Sequence, residues 1–215
     1  MRARRRFGVT ALGAAAALLL AGAAGRAQAG LIVSNLSQTT AQGNGSTLTA
    51  QSFAVGGVSQ TLGSVTLRLE NGESVDETVT VHLFSDNSGV PGSSLLTIGS
   101  LTIPAGSGFA DHTLSAPAFT LQANTTFWLE AESGTSGLNV QWALTDSTTT
   151  TGPGTLGSWA VATSPPSWTP LSSGRLQLEV DSAQVTGVPE PSGLALLALG
   201  AAGLLGWRAR RRAAA

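Results

Sequence analysis

Three residues of one short segment carry side chains suited to binding or cleaving sugars. Trp128, Glu130 and Glu132 are spaced by two, so on a β-strand they share one face, opposite Leu129. The indole could stack on a sugar ring, and the two carboxylates, about 7 Å apart, could act as the acid and base of a glycosidase. The alternative is a solvated outer face, with Trp128 covering a sheet edge or packed under a loop. We take the three residues as a possible ligand contact.

Bases for catalysis at neutral pH are scarce. His82 and His112 are the only histidines, and both are predicted at solvated strand positions. Asp111 precedes His112 directly, so the two point to opposite faces and cannot form part of a triad. The chain also lacks the Gly-x-Ser-x-Gly, His-Glu-x-x-His and P-loop motifs. We therefore predict no catalytic residue and expect that the protein is not an enzyme.

Metal and cofactor sites are equally poorly supported. The segment from Asp86 to Gly89 offers the oxygen ligands that calcium prefers, but it lacks the ligand spacing of an EF-hand. A β-turn is the favoured interpretation, with Asp86 as a weak metal candidate. The acidic group Glu73, Asp76 and Glu77 is predicted to be a solvated loop. Cysteine is absent, which excludes thiolate ligands and disulfides, and no cofactor is expected.

Charge is distributed very unevenly along the chain. Between Gly30 and Val188 there are two arginines, Arg68 and Arg175, against eleven acidic residues, a net charge of −9 for that segment. Such a surface repels phosphate backbones, so nucleic acid is excluded as a partner. The other arginines lie near the two ends, where basic residues act as membrane-topology signals.

Short alternating apolar and polar runs separated by turn residues predict an all-β domain. Val65, Leu67 and Leu69 alternate with polar residues, and the same pattern recurs from Thr78 to Leu83 and from Thr125 to Glu132. Residues 38–49 are predicted to be a loop. Roughly nine or ten strands with frequent turns indicate an antiparallel β-sandwich or jelly-roll-like domain over residues 30–181, followed by a linker at 182–187.

The N-terminal segment is typical of a secretory signal peptide. Four arginines precede an apolar run from Ala11 to Ala24, and Ala27 and Ala29 form a small-x-small cleavage site. Cleavage after Ala29 removes residues 1–29 and leaves Gly30 as the new N-terminus. The expected partners are Sec-type export machinery and signal peptidase, although the arginines also fit a twin-arginine signal.

The C-terminal segment combines a hinge, an apolar run and a basic tail. The hinge residues are Val188, Pro189, Glu190 and Pro191. The apolar run 193–207 is predicted to be a short transmembrane helix that ends at Trp207, an interfacial residue. The topology signal consists of Arg208, Arg210, Arg211 and Arg212.

This C-terminal arrangement resembles the PEP-CTERM protein-sorting domain, over residues 188–212. The resemblance implies an exported protein of a Gram-negative bacterium, often associated with exopolysaccharide and biofilm production. It also implies recognition of the Pro-Glu-Pro motif by an exosortase in the inner membrane, which cuts near it. A permanent membrane anchor without processing is the alternative.

The central domain is similar to the choice-of-anchor family of extracellular β-domains. The similarity is carried by residues 62–67, 81–86 and 89–93 and by Phe127-Trp128-Leu129. That family implies no activity to transfer.

Together these features predict an exported cell-surface or matrix protein of structural or interaction type. It would be anchored in the inner membrane in transit and then reach the cell surface or the extracellular space, with exopolysaccharide as a possible partner. The alternatives are a carbohydrate- or calcium-binding module and a secreted polysaccharide hydrolase.

Overall fold

The described part of the chain is built entirely from antiparallel β-structure. The computed structural model describes residues 30–46, 48–133, 140–162 and 167–183. Within these ranges there is no helix, and every strand pairing is antiparallel, which confirms the predicted all-β class. No helix in these ranges is long and apolar enough to span a membrane. The predicted signal segment 1–29, the sorting segment 188–212 and most of the linker lie outside the described residues.

The described ranges contain fourteen strands. They are Leu31–Ser34 (β1), Gln42–Asn44 (β2), Leu48–Ala54 (β3), Gln60–Asn71 (β4), Glu77–Asp86 (β5), Pro91–Ile103 (β6), Ser107–Ser115 (β7), Thr120–Leu121 (β8), Thr126–Ser133 (β9), Val140–Thr145 (β10), Thr155–Ala162 (β11), Thr169–Leu171 (β12), Arg175–Leu176 (β13) and Leu178–Ser182 (β14).

The strands form two sheets. The first sheet has eight strands, in the order β1-β14-β4-β10-β13, with β2 beside β10. Strands β7 and β8 also pair with β4, and because Leu67 pairs with both Leu178 and His112, β7 lies on the side of β4 opposite β14. The second sheet has six strands, in the order β12-β11-β3-β9-β5-β6.

One hydrophobic core joins the inner faces of the two sheets. Leu67 of β4 and Val180 of β14 contribute from the first sheet, while Val81 of β5 and Leu129 of β9 contribute from the second. All four are fully buried, and burial of a side chain of this size stabilises the fold by about 2 kcal/mol. As predicted from the alternation along β4 and β5, the apolar residues of these strands face the core and the polar residues between them face outward.

Some of the strands fall where the sequence predicted none. Residues 38–49 were predicted to be a loop, which is wrong for β2 and for the start of β3. Gly43 of β2 lies level with Ala143 of β10, and a Cβ at Gly43 would clash with the side chains of Gln141 and Phe109. The glycine thus permits close pairing of β2 with β10, although β2 lacks the hydrophobic alternation that would predict a strand.

A buried glutamine links the two sheets through hydrogen bonds. Gln51 of β3 is fully buried, and its amide group donates to the carbonyls of Gly157 and Ser158 at the irregular part of β11, at 2.9 and 3.1 Å. Its side-chain oxygen accepts from the Leu176 N–H at 2.9 Å, across to the first sheet. One buried side chain thus hydrogen-bonds backbone groups of both sheets.

The two ends of the described domain meet. Ser182 at the end of β14 donates its N–H to the Gly30 carbonyl at 2.8 Å, and the Gly30 N–H donates to Ser182 Oγ at 2.9 Å. Contacts gather Ala29–Gln184 into one compact unit. The described hydrophobic core and all the described strand pairs therefore lie within residues 30–183.

Replacing the bridging amide should destabilise the domain strongly. We expect Gln51→Leu to lower the free energy of unfolding of residues 30–183 by about 2–4 kcal/mol, because the buried Leu176 N–H and the Gly157 carbonyl would lose their side-chain partner. Urea denaturation followed by tryptophan fluorescence measures this. Gln122→Leu makes the same change at an exposed position and should shift stability by less than about 0.5 kcal/mol. Equal effects of the two substitutions would contradict the proposed link.

Candidate functional site

The three predicted contact residues lie on the outer face of the second sheet. Strand β9 runs between β3 and β5, so each of the three is level with one residue on either side. The neighbours are Ser52 and Phe84 for Trp128, Ala50 and His82 for Glu130, and Leu48 and Thr80 for Glu132. Pairing with β5 thus brings His82 beside the two glutamates, an association that the sequence did not indicate.

Trp128 is part of a small second core on this outer face. Its side chain is 0% exposed and forms a cluster with Ala50 and Ala160, against which Phe84 and Trp168 pack. This burial agrees with the alternative in which Trp128 is packed against the sheet, and not with an open ligand contact. The indole packs with small alanines of β3 and β11 and is fully covered, so neither ring face is open for stacking on a sugar.

The indole N–H of Trp128 has a specific partner. It donates to Asp86 Oδ1 at 2.8 Å. The same carboxylate caps the β5–β6 turn, since Gly89 N–H lies 3.2 and 3.3 Å from its two oxygens. Ser88 and Gly89 both have positive φ, 55° and 89°, as a tight two-residue hairpin turn requires. Asp86 thus ties the turn to β9.

Asp86 was also the weak metal candidate. No group of three His, Cys, Asp or Glu residues that could hold a metal is present in the described ranges.

Glu130 is the unusual acid of the site. It is only 3% exposed, so the prediction of a solvated face is wrong for Glu130, and it makes no hydrogen bond to another described residue. Burial, with a further contribution from the charge of Glu132, raises the pKa of Glu130 from 4.5 to about 7. A carboxyl group that keeps its proton near neutral pH can act as an acid.

Glu132 and His82 form the exposed end of the same group. His82 Nε2 lies 3.6 Å from Glu132 Oε2, and its Nδ1 lies 3.1 Å from Thr97 Oγ1 on β6. The Glu132 side chain is half exposed, as the prediction of a solvated face requires. His82 lies on the polar face of β5, as predicted, although its side chain is mostly covered.

Glu130, with its raised pKa, could serve as a proton donor beside Glu132, but it does not border either of the two larger clefts in the described part. Two clefts in the described part lie elsewhere: one of about 330 Å³ borders Gly63 and Ser182, and one of about 200 Å³ borders Val55 and Pro153. Neither is lined by a carboxylate. Catalysis needs a reacting group within hydrogen-bonding distance of the acid, and the 3% exposure of Glu130 opposes that.

The other titratable candidates are placed apart from this group. Asp111 forms a two-point ion pair with Arg68, at 2.7 and 3.0 Å, on the outer face of the first sheet. His112 points the other way, as predicted, but it is half-buried on the core side, level with Leu67. The prediction of a solvated position is wrong for His112, because β7 packs against β4 and β6 instead of standing free.

The predicted acidic loop is organised by an asparagine. Asn71 is fully buried, and its amide donates to the carbonyls of Val75 and Ile103 at 2.8 and 3.1 Å. Asp76 accepts the Ala105 N–H at 2.9 Å, and buried Glu77 accepts from Ser133 Oγ at 3.3 Å. Two of the three acids therefore hold backbone or neighbouring strands together.

A comparison with family profiles identifies the C-terminal segment. The PEP-CTERM protein-sorting motif matches residues 187–212. The match supports an exported protein that is sorted through its C-terminal segment, with membrane-anchored transit. The similarity of the central domain to the choice-of-anchor family stays a prediction.

Comparisons with other proteins add little. No curated protein matches the chain. One solved structure, of the infectious bursal disease virus Gx strain, matches with 14% identity and a TM-score of 0.26. The match covers 73% of this chain and 39% of the viral chain, so this chain spans about two fifths of the viral one.

The buried acid makes domain stability depend on pH. The folded-state pKa of Glu130, about 7, lies above its unfolded value of 4.5, so the folded state holds the proton more tightly. The resulting stabilisation is complete below about pH 4.5 and is lost as the pH rises through 7. Glu130→Gln removes this dependence, and we expect the variant to gain on the order of 2 kcal/mol relative to wild type between pH 5 and pH 8.

Urea denaturation at a series of pH values measures this change. Glu132→Gln is the matched control and should keep most of the dependence, because burial is the larger cause of the shift in Glu130. Burial also raises the pKa of Glu179, so both variants should retain a residual slope of the same sign. Parallel curves for wild type and Glu130→Gln would refute the buried-acid interpretation.

Proposed function

We propose that this chain is an exported surface or matrix protein of structural or interaction type, without enzymatic activity. The observation that carries the proposal is the match of the PEP-CTERM sorting motif to residues 187–212, directly after a self-contained β-sandwich domain. The acidic character of that domain and its lack of Lys suit an extracellular surface that avoids nucleic acid.

The proposed route to the surface uses both ends of the chain. Sec-type machinery exports the protein, and signal peptidase removes residues 1–29. The apolar segment 193–207 then holds the domain at the inner membrane, with Arg208 and Arg210 to Arg212 on the cytoplasmic side. An exosortase-like enzyme recognises Pro189-Glu190-Pro191 and cuts near it, which delivers the domain to the cell surface or the extracellular matrix, where exopolysaccharide is the proposed associate.

The geometry of the domain ends supports this route. Gly30, the predicted first residue after signal cleavage, is hydrogen-bonded to Ser182, the last residue of β14. Both predicted cuts would therefore fall outside the strand ladders, next to one edge of the first sheet. Neither cut would remove a described core residue.

The competing functions have weaker support. A sugar-binding module would need an open aromatic face, but Trp128 is fully buried. Calcium binding by Asp86 would compete with the Trp128 and Gly89 N–H groups. A hydrolase would need access to Glu130, which is covered.

Processing can be tested by the mass of the protein in its native host. We expect the mature protein to begin at Gly30 and to lack Trp207 and the arginine tail. Pro189→Ala/Pro191→Ala should retain the tail and accumulate in the membrane fraction, because the recognition motif is lost. Pro117→Ala changes an exposed proline of the domain and should be processed like wild type. A wild-type mass that includes Trp207 would refute processing.

A further inference from the structure

One long strand edge of the sandwich is open. β6 is a thirteen-residue strand at the end of the second sheet, and within the described residues it pairs on one side only, with β5. An edge of this kind presents a row of backbone N–H and C=O groups that can pair with another strand. Natural proteins usually shorten, cover or charge such an edge.

Two other edges, β12 and β1, are protected in these ways. At the other end of the second sheet, β12 has three residues and contains Pro170, which cannot donate to a ladder. In the first sheet, β1 is covered by the segment 151–154: Ser34 and Thr151 exchange backbone hydrogen bonds, and Gly154 N–H donates to the Ile32 carbonyl. β6 differs from both.

β6 also carries no charge. None of its residues from Pro91 to Ile103 is acidic or basic, although the segment from Gly30 to Val188 has a net charge of −9. Most approaches of two copies of this domain are therefore repulsive. Approach along β6 brings no like charges directly opposite each other.

The hydrophobic side chains of this edge are incompletely covered. Leu96 and Leu101 of β6 and Leu114 of the neighbouring β7 are only partly buried where they pack against the core. Leu95 is 39% exposed. A strand added beside β6 would cover the core-side leucines further, with a gain of about 25 cal/mol per Å² of apolar surface.

The regular part of the edge is its C-terminal half. From Val81↔Gly99 to Glu77↔Ile103 the pairing with β5 is unbroken, whereas bulges interrupt it nearer the turn. Bulges twist an edge and discourage pairing, so residues 99–103 form the segment best shaped to accept a partner.

We propose that β6 is a self-association edge, at which two copies of this domain pair antiparallel about a two-fold axis at Leu101. Ser100 then lies opposite Thr102 of the other copy, and each Leu101 lies opposite its counterpart. Such a contact is isologous, so one patch on the surface satisfies both partners. The inference deepens the proposed interaction role of the domain and rests on that role, but it does not rest on the sorting route.

A second copy suits this edge better than a charged partner does. The residues that would meet across the axis are hydroxyl-bearing or apolar on both sides, and Ser and Thr pairs stabilise neighbouring strands. The paired area is small, so we expect weak association, on the order of micromolar or weaker, which dense display at a surface would favour.

Cysteine cross-linking tests the register directly, because the chain has no cysteine of its own. In purified residues 30–183, Leu101→Cys should form a disulfide-linked dimer under mild oxidation, since facing strand residues have Cα atoms about 4.5–5.5 Å apart. Thr102→Cys is the matched control: the two Cα atoms at this position would lie about 8 Å apart across the axis, too far for a disulfide. Thr149→Cys, in an exposed loop, reports random collision.

Charge variants at exposed positions test the same contact without touching the core. Ser100→Lys/Thr102→Lys places like charges opposite each other and should weaken association about tenfold in sedimentation equilibrium. Ser100→Lys/Thr102→Glu places opposite charges together and should restore it. Thr148→Lys/Thr149→Lys gives the same net charge as the repulsive variant and should not weaken association.

The outcomes separate the possibilities. Selective cross-linking through Leu101→Cys, with the expected order of the charge variants, supports the pairing. Wild type that stays monomeric at the highest attainable concentration, or cross-linking equal at all three cysteine positions, overturns it and leaves β6 to a different partner. Circular dichroism checks that each variant is folded. If Leu101→Cys does not fold, the charge variants at Ser100 and Thr102 decide the question. Failure here leaves the mass test of processing unaffected.

Discussion

The burial of strand β9 on both faces is the constraint on which the rest of this structure depends. β9 is an inner strand of the second sheet, with Leu129 in the main core and Trp128 in the outer-face cluster. This cover withholds Trp128 and Glu130 from solvent, whereas Glu132, near the end of the strand, stays half exposed. The same constraint explains why the indole needs Asp86 as a partner and why the pKa of Glu130 is raised.

Stability in this cysteine-free domain depends on satisfying buried polar groups inside the core. Gln51 hydrogen-bonds two carbonyls of β11 in its own sheet and the Leu176 N–H of the other sheet. Trp142 and Trp159 donate their indole N–H groups to the carbonyls of Gln177 and Ser173, each at 2.8 Å. Glu130 stands apart, because its burial is relieved by protonation and not by a described hydrogen bond. The stability of such a domain depends on pH through the buried Glu130 and, with the same sign, through Glu179.

How much could be predicted from the sequence depended on whether the signal was local. The alternation of Val65, Leu67 and Leu69 identified a half-buried strand, and the Asp86–Gly89 segment identified a turn, because both are written in neighbouring residues. The pairing of β5 with β9 is not local, so the contact between His82 and the two glutamates could not be foreseen. Burial of Trp128 depends on Ala50 and Ala160, which are far from it in the chain and mark no pattern of their own.

The end of the described domain and the proposed pairing edge lie at different sheet edges. Strand β1, beside which the chain leaves the domain at Ser182, is one edge of the first sheet, and β7 lies across β4 on the other side. β6 of the second sheet is in contact with β7, so it lies on the β7 side of the sandwich. The covered edge β1 and the open edge β6 therefore lie on opposite sides. Among the described strands, β6 is the long uncharged one with no strand on its outer side, and it lies across the sandwich from Ser182. Pairing at β6 would therefore not use the residues at which the described domain ends.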